Sequence, residues 1–335
     1  MVEAHLIELR ERLSALEALA AVDQLILGGA GLEPVIEALL DRMQPVMRCD
    51  LTCIALPSTA TRGAWDLRID ARDGDRGGSG AARRTLTGQR GTDPAEPQAG
   101  PVPGVLRGLG ARSFRTWPVM LESRRVAILG VGFRGPAPVD GAFDESLDSF
   151  AQRLSLAVAR HEREERLYRQ AHYDALTGLP NRLLFRERFT EELRRVRDGA
   201  AGGALLYLDL DDFKQVNDTL GHAAGDRMLT VVGQRLRACV KESDTVARIG
   251  GDEFTAVLRE LPDAATASTV AQRILDTLAA PIWLGGERRE VGVSVGIAAF
   301  PGDGLDGDEL LHHADAAMYR AKQQGRRRIA VHRAG

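Results

Sequence analysis

The residues best suited to chemistry form one short segment, Arg-Ile-Gly-Gly-Asp-Glu-Phe at positions 248–254. Apolar runs on both sides predict two strands, and Gly250-Gly251 between them is typical of a two-residue hairpin turn. A glycine has no Cβ, so backbone N–H groups beside it can approach a ligand closely. Asp252 and Glu253 then lie at the hairpin tip, where carboxylates suit metal binding or proton transfer. A solvated hairpin without a function is the alternative.

A second acidic cluster follows the apolar run at residues 204–208. The run predicts a buried strand, which ends on Asp209, Asp211 and Asp212 directly before a helical pattern. A carboxylate at a strand end beside a helix N-terminus can bind a hard cation together with phosphate oxygens. The two segments therefore indicate a site for a metal ion and a phosphorylated substrate.

Together with three further motifs, these segments resemble the GGDEF domain of the diguanylate cyclase family over residues 173–332. The matching motifs are residues 174–182, 209–226, 248–254, 293–298 and 315–326. The resemblance implies an α+β fold in which helices wrap a central antiparallel sheet, as in nucleotidyl cyclases and polymerase palms. It also implies an enzyme that condenses two GTP molecules into cyclic di-GMP and releases two pyrophosphates.

The family's metal-binding positions correspond to Asp209, the backbone carbonyl of Leu210, and Asp252. The resemblance implies that these groups hold Mg²⁺, or Mn²⁺ as an alternative, against the triphosphate. Asp252 also matches the position proposed to accept a proton, and Glu253 the position that tunes the site. Such a cluster makes physical sense, because phosphoryl transfer depends on neutralised charge and in-line positioning. Gly250 and Gly251 would leave room for the phosphates.

Three cations match positions that contact phosphate oxygens in this family: Lys214, Lys322 and Arg326. Lys214 is grouped with the catalytic residues Asp252 and Glu253. Lys322 and Arg326 are four residues apart, so we expect them to share one face at the end of a helix. Solvated surface cations are the alternative. The family usually has Asn where Arg327 stands, and we expect little consequence for the chemistry.

The choice of base is implied by Asn217 and Asp226, with His222 nearby. A carboxylate can accept hydrogen bonds from both N1–H and the 2-amino group of guanine. Adenine offers no such pair of donors, so Asp226 favours GTP as the substrate. A helix-capping role for Asp226 after Gly225 is the alternative.

The family's product-inhibition motif is Arg-x-x-Asp, and Lys241 and Asp244 occupy its two defining positions here. Lysine keeps the charge of arginine but lacks the planar fork that grips guanine and phosphate. We therefore expect feedback inhibition by cyclic di-GMP to be weakened or absent. An ordinary polar loop between a helix and a strand is the alternative.

The N-terminal half has another layout, with helical periodicity over residues 1–45 and a long loop predicted at residues 71–104. Strands are predicted at 51–56, 65–69, 113–120 and 125–133. This layout resembles the GAF sensory domain, and a PAS-type sensor is the competing interpretation. Either implies an unidentified small ligand. All seven histidines lie outside residues 6–160, which argues against haem held by a pocket histidine.

Residues 146–172 predict one long helix with a seam at steps of three and four residues. The seam consists of Leu147, Phe150, Leu154, Ala157, His161, Glu164 and Tyr168. Such a seam is typical of a short parallel coiled coil that pairs two copies as a homodimer, and a lone linker helix is the alternative. We expect His161 to pack there rather than to bind a ligand. The expected organisation is a sensor at 1–145, a linker at 146–172 and a catalytic domain at 173–335.

The three cysteines do not provide a disulfide framework. Cys49 and Cys53 are four residues apart, so in a strand both side chains would point to the same face. No histidine accompanies them, and we expect core residues rather than a redox or metal-binding pair.

The composition is that of a globular protein, with 335 residues, 44% hydrophobic and 27% charged residues, and a net charge of −3. This balance gives no electrostatic argument for nucleic-acid binding. The apolar runs are shorter than a membrane span, and the N-terminal residues do not resemble a signal peptide. We therefore expect no nucleic-acid or membrane partner and a cytoplasmic location.

Two other interpretations remain beside the regulated enzyme. A catalytically silent GGDEF module could bind GTP or cyclic di-GMP, although Asp209, Lys214, Asp252 and Glu253 are all intact. The chain could also be a fragment of a longer protein that continues into a phosphodiesterase domain.

Overall fold

A computed structural model of the chain describes residues 2–61, 64–71, 82–89, 104–138, 141–284 and 286–332. The chain forms two compact units, Met1–Glu165 and Arg166–Gly335. Among the described residues, no helix combines the length and the apolar content needed to cross a membrane.

The first unit contains a five-stranded antiparallel sheet with the strand order β3-β2-β1-β5-β4. Its strands are β1 (Leu51–Pro57), β2 (Trp65–Ala71), β3 (Ala82–Gln89), β4 (Ser113–Leu121) and β5 (Arg124–Phe133). Its helices are α1 (Val2–Leu27), α2 (Leu32–Met47), α3 (Gly104–Gly108) and the first part of α4 (Gly141–His172). The predicted helices and four predicted strands are confirmed, whereas the GAF-like assignment stays a prediction.

The side chains of β1 alternate between two hydrophobic clusters on opposite faces of this sheet. Ile54 packs in the larger cluster with α1, α2 and α4, and Cys53 packs in the smaller one with Leu106. Cys49 belongs to the larger cluster and lies outside β1, so the expected shared face, which required a strand through both cysteines, does not apply. Cys49 precedes β1 and follows Arg48, which adopts a left-handed conformation, so strand alternation does not extend to it. Both thiols are buried, and burial raises the pKa of Cys53 to about 12, which suits core residues.

The predicted loop at residues 71–104 contains a strand, because β3 pairs with β2 at one edge of the sheet. Leu86 packs against the smaller cluster, while Thr85 and Thr87 are exposed. A polar edge strand with so little apolar alternation does not give the usual sequence signal for a strand. Residues 72–81 and 90–103 lie outside the described part of the chain.

Helix α4 begins at Gly141, earlier than the start predicted at residue 146. Leu147, Phe150, Leu154 and Ala157 are buried in the larger cluster of their own unit. The prediction that these four positions form an intermolecular seam is therefore wrong. Apolar residues at steps of three and four describe a helix packed on a domain core equally well.

The second unit is built on the sheet order β12-β11-β6-β8-β7, antiparallel except for the β11–β12 pair. Its main strands are β6 (Gly203–Asp211), β7 (Thr245–Gly250), β8 (Glu253–Leu258), β11 (Gly292–Phe300) and β12 (Ile329–Val331), with a separate hairpin of β9 (Ile282–Leu284) and β10 (Glu287–Arg289). Its helices are α5 (Arg182–Arg197), α6 (Phe213–Leu220), α7 (His222–Ala238), α8 (Ala264–Leu278) and α9 (Gly307–Gln323). This is the α+β arrangement that the resemblance implies.

The central strand β6 is buried on both faces by helices. Leu206 and Leu208 pack in the cluster formed with α7 and α8, whereas Leu205 packs in the cluster formed with α5 and α9. Because side chains alternate along a strand, Asp209 and Asp211 share the face of Leu205 and point to the side of α9. The fold thereby brings the acidic end of β6 to the C-terminal end of α9.

The close packing of α9 on the sheet depends on Gly296 of β11. A Cβ at this position would overlap the backbone oxygen of Ala314 and the backbone nitrogen of Met318, both in α9. We predict that Gly296→Ala forces α9 away from the sheet and lowers the free energy of unfolding of this unit by about 3 kcal/mol.

Urea unfolding followed by circular dichroism measures this effect, and Gly302→Ala is the matched control. A Cβ at Gly302 would find only the Ala299 oxygen at 3.9 Å, so a change within about 0.5 kcal/mol is expected. Equal stability of the two variants would contradict the proposed packing constraint.

Candidate active site

The acidic end of β6 lies beside the β7–β8 hairpin. In the strand register Asp209 is paired with Glu253, and the Leu210 amide donates a hydrogen bond to the Asp252 carbonyl at 3.3 Å. Gly250 pairs with Glu253, so the turn residues are Gly251 and Asp252, one position later than predicted. Gly251 adopts a φ of +35°, which favours glycine. The three predicted metal-binding positions are therefore brought together.

Asp209 is bound by Lys322 from the last turn of α9, with 2.6 Å between its Oδ1 and the Lys322 Nζ. The side chain of Asp209 is 11% exposed. Burial raises the pKa of Asp209, the bond with Lys322 lowers it, and the charges of Asp252 and Glu253 raise it again, so it lies above its usual value. Lys322 thus pairs with one carboxylate of an acidic group that consists of Asp209, Asp252 and Glu253.

The donor set of this group consists of oxygen atoms. Among the described residues, no group of three or more His, Cys, Asp or Glu side chains is arranged to hold a metal ion. The predicted set is smaller, with two carboxylates and the Leu210 carbonyl, and such oxygen donors fit a hard divalent cation. The mutual repulsion of Asp209, Asp252 and Glu253 also favours an added positive charge.

Two further predicted phosphate contacts lie near the same strand end. Lys214 is exposed in the first turn of α6, and the Arg326 Nε is 3.9 Å from Oδ1 of Asp212, the residue that precedes α6. Arg326 does not share a helix face with Lys322, because α9 ends at Gln323 and Gly325 and Arg326 have positive φ. The prediction of a shared face is wrong, yet the chain reversal still returns Arg326 to β6.

Asp211 was grouped with Asp209 and Asp212 as an acidic cluster in the sequence, but no structural role was predicted for it. It is buried, and its carboxylate accepts hydrogen bonds from the Ser294 hydroxyl at 2.8 Å and the Arg327 amide at 3.0 Å. Asp211 therefore ties the loop that carries Arg326 to the sheet. The spacing of two residues between Asp209 and Asp211 was the available sequence signal, because it places both side chains on one face of a strand. The Arg327 side chain points to Glu290, 3.3 Å away, rather than to Asp209.

The predicted base-binding residues lie on α6 and α7. A Cβ at Gly225 would overlap the Asn217 side-chain oxygen, so the glycine lets the two helices approach closely there. His222 and Asp226 are exposed and four residues apart on α7, which places them on one helix face. Helix α7 begins at His222 after Gly221, so the alternative of a helix-capping Asp226 is wrong.

A second contact network holds the hairpin. Arg248 bonds Asp174 at 3.0 and 3.1 Å, and its Nε and Nη2 donate to the Gly251 carbonyl at 3.0 and 2.8 Å. Burial alone would raise the pKa of Asp174, but hydrogen bonds from Thr177 and the Arg248 guanidinium hold it below its usual value. This network gives a structural role to motif 174–182, for which the sequence supplied only a family match.

Arg182 lies behind the hairpin and donates to the Ile249 carbonyl at 3.1 Å. Beside it is Tyr207 of β6, whose pKa is raised by burial and by the neighbouring carboxylate of Glu253. Glu253 is therefore flanked by Tyr207, which faces the α9 side of the sheet. A cavity of about 580 Å³ opens between the hairpin and the start of α5.

The predicted inhibitory motif is separated from this acidic group. Lys241 is exposed, whereas Asp244 is buried and accepts hydrogen bonds from the Lys241 amide at 2.9 Å and the Arg259 amide at 3.0 Å. Burial raises the pKa of Asp244, and these amide contacts are what support its carboxylate there. The alternative of an ordinary polar loop describes Asp244 well, since its carboxylate shapes the loop.

Comparisons with known proteins agree on the second unit. The family described as "Diguanylate cyclase, GGDEF domain" matches residues 171–328. Diguanylate cyclase TpbB of Pseudomonas aeruginosa is 41% identical over 189 residues, which cover 56% of this chain and 42% of TpbB. The bifunctional diguanylate cyclase/cyclic di-GMP phosphodiesterase MucR of the same organism is 40% identical over 190 residues, 57% of this chain and 27% of MucR. The chain thus spans less than half the length of these curated relatives.

Two solved structures are also similar to this part of the chain. The GGDEF domain of TpbB is 41% identical, with 48% of this chain and 99% of that chain covered and a TM-score of 0.46. The coiled coil and GGDEF domain of DgcB from Caulobacter crescentus, in complex with c-di-GMP, is 26% identical, with 57% and 100% covered and a TM-score of 0.50.

The raised pKa of Asp209 leads to a stability prediction. The folded state binds a proton on Asp209 more tightly than the unfolded state, so the ionised carboxylate lowers stability at neutral pH. We predict that Asp209→Asn stabilises the unit at neutral pH, by on the order of 0.5 kcal/mol. The gain shrinks as the pH falls through the pKa of the folded carboxyl, because the parent then becomes neutral too.

Thermal unfolding of the parent and the variant at several pH values measures this difference. Lys322 is 30% exposed, so water can hydrate it when its partner is lost. Asp218→Asn, an exposed position on α6, is the matched control and should leave the unfolding temperature unchanged across the pH range. A loss of stability in Asp209→Asn at neutral pH would refute the argument.

Proposed function

We propose that this chain, whose residues 171–328 match the GGDEF family of diguanylate cyclases, condenses two GTP molecules into cyclic di-GMP and two pyrophosphates. The observation that carries the proposal is the intact acidic group at the end of β6. Asp209, Leu210 and Asp252 meet there, and Lys322 lies against Asp209. A silent module is expected to have a broken signature instead.

Asp209, the Leu210 carbonyl and Asp252 are the groups that would hold a divalent ion, which we propose to be Mg²⁺ with Mn²⁺ as the alternative. When bound, such an ion neutralises triphosphate charge and lowers the pKa of a 3′-hydroxyl. Lys322 exchanges part of its contact with Asp209 for a phosphate oxygen. Lys214 and Arg326, near the same strand end, bind further phosphate oxygens.

In the reaction, the 3′-oxygen of one GTP forms a bond to the α-phosphorus of the other, and the bond to pyrophosphate breaks. The hydroxyl proton passes to the carboxylate of Asp252. Glu253, held on β8 beside Tyr207, lies next to Asp252 and tunes the site in our proposal. The turn formed by Gly251 and Asp252 follows Gly250, and both glycines leave space for the phosphates.

The guanine base lies in our proposal between α6 and α7, against Asn217 and Asp226, with His222 on the same face as Asp226. The exposed carboxylate of Asp226 accepts from the two guanine donors. A site built for those donors rejects adenine because its carboxylate would stay unpaired.

One active site binds one GTP, so formation of a product with two-fold symmetry requires two copies of the catalytic unit. We therefore propose a homodimer. The first unit acts as a GAF-like sensor of a small ligand, and α4 leads from its core to residue 172. We retain the proposed boundaries of 1–145, 146–172 and 173–335. A cytoplasmic location follows from the cytoplasmic supply of GTP.

The activity is tested by incubating the purified chain with GTP and Mg²⁺ and measuring cyclic di-GMP and pyrophosphate. We predict that Asp252→Ala lowers the rate about 10³-fold, because a metal ligand and the proton acceptor are lost together. Asp276→Ala removes an exposed acid on α8 and should keep the parent rate.

An active Asp252→Ala variant would contradict the proposed role of the hairpin. If the parent forms no product but still binds GTP or cyclic di-GMP, the silent-module interpretation replaces the enzyme. Mn²⁺ in place of Mg²⁺ tests the choice of metal in the same assay.

The exposed Lys241 leads to a second prediction. Arginine at this position would add the planar fork without disturbing the loop, since Asp244 binds the backbone amide of residue 241 rather than its side chain. We predict that Lys241→Arg lowers the concentration of cyclic di-GMP needed for half-inhibition about tenfold. Glu242→Gln, an exposed neighbour, is the control, and identical inhibition of Lys241→Arg and the parent would refute the prediction.

A further inference from the structure

Helix α1 carries a row of exposed leucines. Leu6, Leu9, Leu13, Leu16 and Leu27 are 49, 50, 57, 64 and 85% exposed. The first four follow steps of three, four and three residues, and Leu27 falls on the same face. Single exposed leucines are ordinary, but a row on one helix marks a surface that binds something.

The opposite face of α1 already packs in its own unit. Ala18, Val22 and Ile26 are buried there, and Val22 and Ile26 belong to the larger hydrophobic cluster. At about 100° per residue, these positions lie roughly opposite the leucine row. Helix α1 therefore has two apolar faces, of which its own unit covers one.

The leucine row fits the heptad of a two-stranded coiled coil. Leu6, Leu13, Ala20 and Leu27 take the a positions, and Leu9, Leu16 and Asp23 take the d positions. Asp23 is the exception, and it pairs within its own unit with Arg153 at 2.8 Å. The uninterrupted part of the seam therefore runs from Leu6 to Ala20.

The flanking charges favour a parallel pair in register. Arg12 takes a g position and Glu17 the following e position, and a parallel coiled coil brings g of one helix beside that e of the other. This register therefore places unlike charges beside each other at two symmetric positions. The segment Val2–Leu27 contains five acidic residues and two arginines, which disfavours an anionic lipid surface as the occupant.

The sequence predicted a coiled-coil seam on α4, but the structure leaves an apolar row exposed on α1 instead. Its Leu147, Phe150, Leu154 and Ala157 are covered by their own unit, whereas the leucines of α1 are not. We infer that the leucine row of α1 binds the α1 of a second copy as a parallel, in-register coiled coil. The inference supplies an interface for the homodimer of the proposed function, but it requires no cyclase activity.

Cysteine cross-linking of the full chain tests the geometry without GTP. The native cysteines Cys49, Cys53 and Cys239 are buried, so we expect any disulfide between copies to form at the added surface cysteine. Leu9→Cys and Leu16→Cys should each form disulfide-linked dimers under mild oxidation, because equal d positions meet in a parallel pair. Ser14→Cys, exposed at a b position outside the seam, should cross-link at least about tenfold less. Cross-linking of neither d position, or of only one, overturns the parallel arrangement.

Sedimentation of the full chain measures the energetics. Leu13→Glu should raise the dimer dissociation constant at least about tenfold, because a buried a-position leucine is replaced by a charge. Ser14→Glu, the matched control on α1, should leave it unchanged, and equal circular dichroism spectra confirm that both variants fold.

Several results would overturn the inference. One is that the parent and Leu13→Glu have equal dimer dissociation constants. Another is that the parent stays monomeric. A monomeric parent that binds phosphatidylcholine–phosphatidylglycerol vesicles through these leucines would assign the row to a lipid surface instead. Loss of dimer without loss of fold in Leu13→Glu supports the inference even if no cyclic di-GMP is formed.

Discussion

The ion pair between Asp209 and Lys322 is the contact on which the arrangement of the active site depends. Its two residues are distant in the second unit's sequence, one near the end of β6 and one in the last turn of α9. They meet because Gly296 lets α9 pack directly on the sheet. The buried carboxylate would be unfavourable without the lysine, since Asp252 and Glu253 already repel it. A positively charged ligand or metal at this position relieves the same repulsion, which links binding to the fold.

Two further networks keep the surrounding loops in place without taking part in the chemistry. Asp211 binds the amide of Arg327 and thereby fixes the chain reversal that presents Arg326. Arg248 joins Asp174 to the carbonyl of Gly251 and thereby fixes the hairpin that presents Asp252. In both cases a buried or partly buried charge is fully occupied by protein groups, so these residues position the site rather than bind a substrate.

Much of this could be predicted from local sequence, because strand ends, glycine turns and acidic clusters have short-range signals. The hairpin was located to within one residue, and the acids it presents were identified. What failed depended on local changes of chain direction and on contacts between distant segments. The end of α9 at Gln323 moved Arg326 off the predicted face, and the left-handed Arg48 removed Cys49 from the alternation of β1. The role of Asp211 required its partners Ser294 and Arg327, which are remote in sequence.

The two long helices of the first unit show why spacing alone does not identify a partner. Both α1 and α4 carry apolar residues at steps of three and four, and a core-facing helix and a coiled-coil strand share that pattern. Burial separates them, because the α4 positions from Leu147 to Ala157 are covered and the α1 leucines are exposed. Contacts of Arg153 with Asp23 and of Arg160 with the Ile26 carbonyl tie α4 to α1 within the unit. A shift of the core between these helices would therefore change the α1 surface and α4 together.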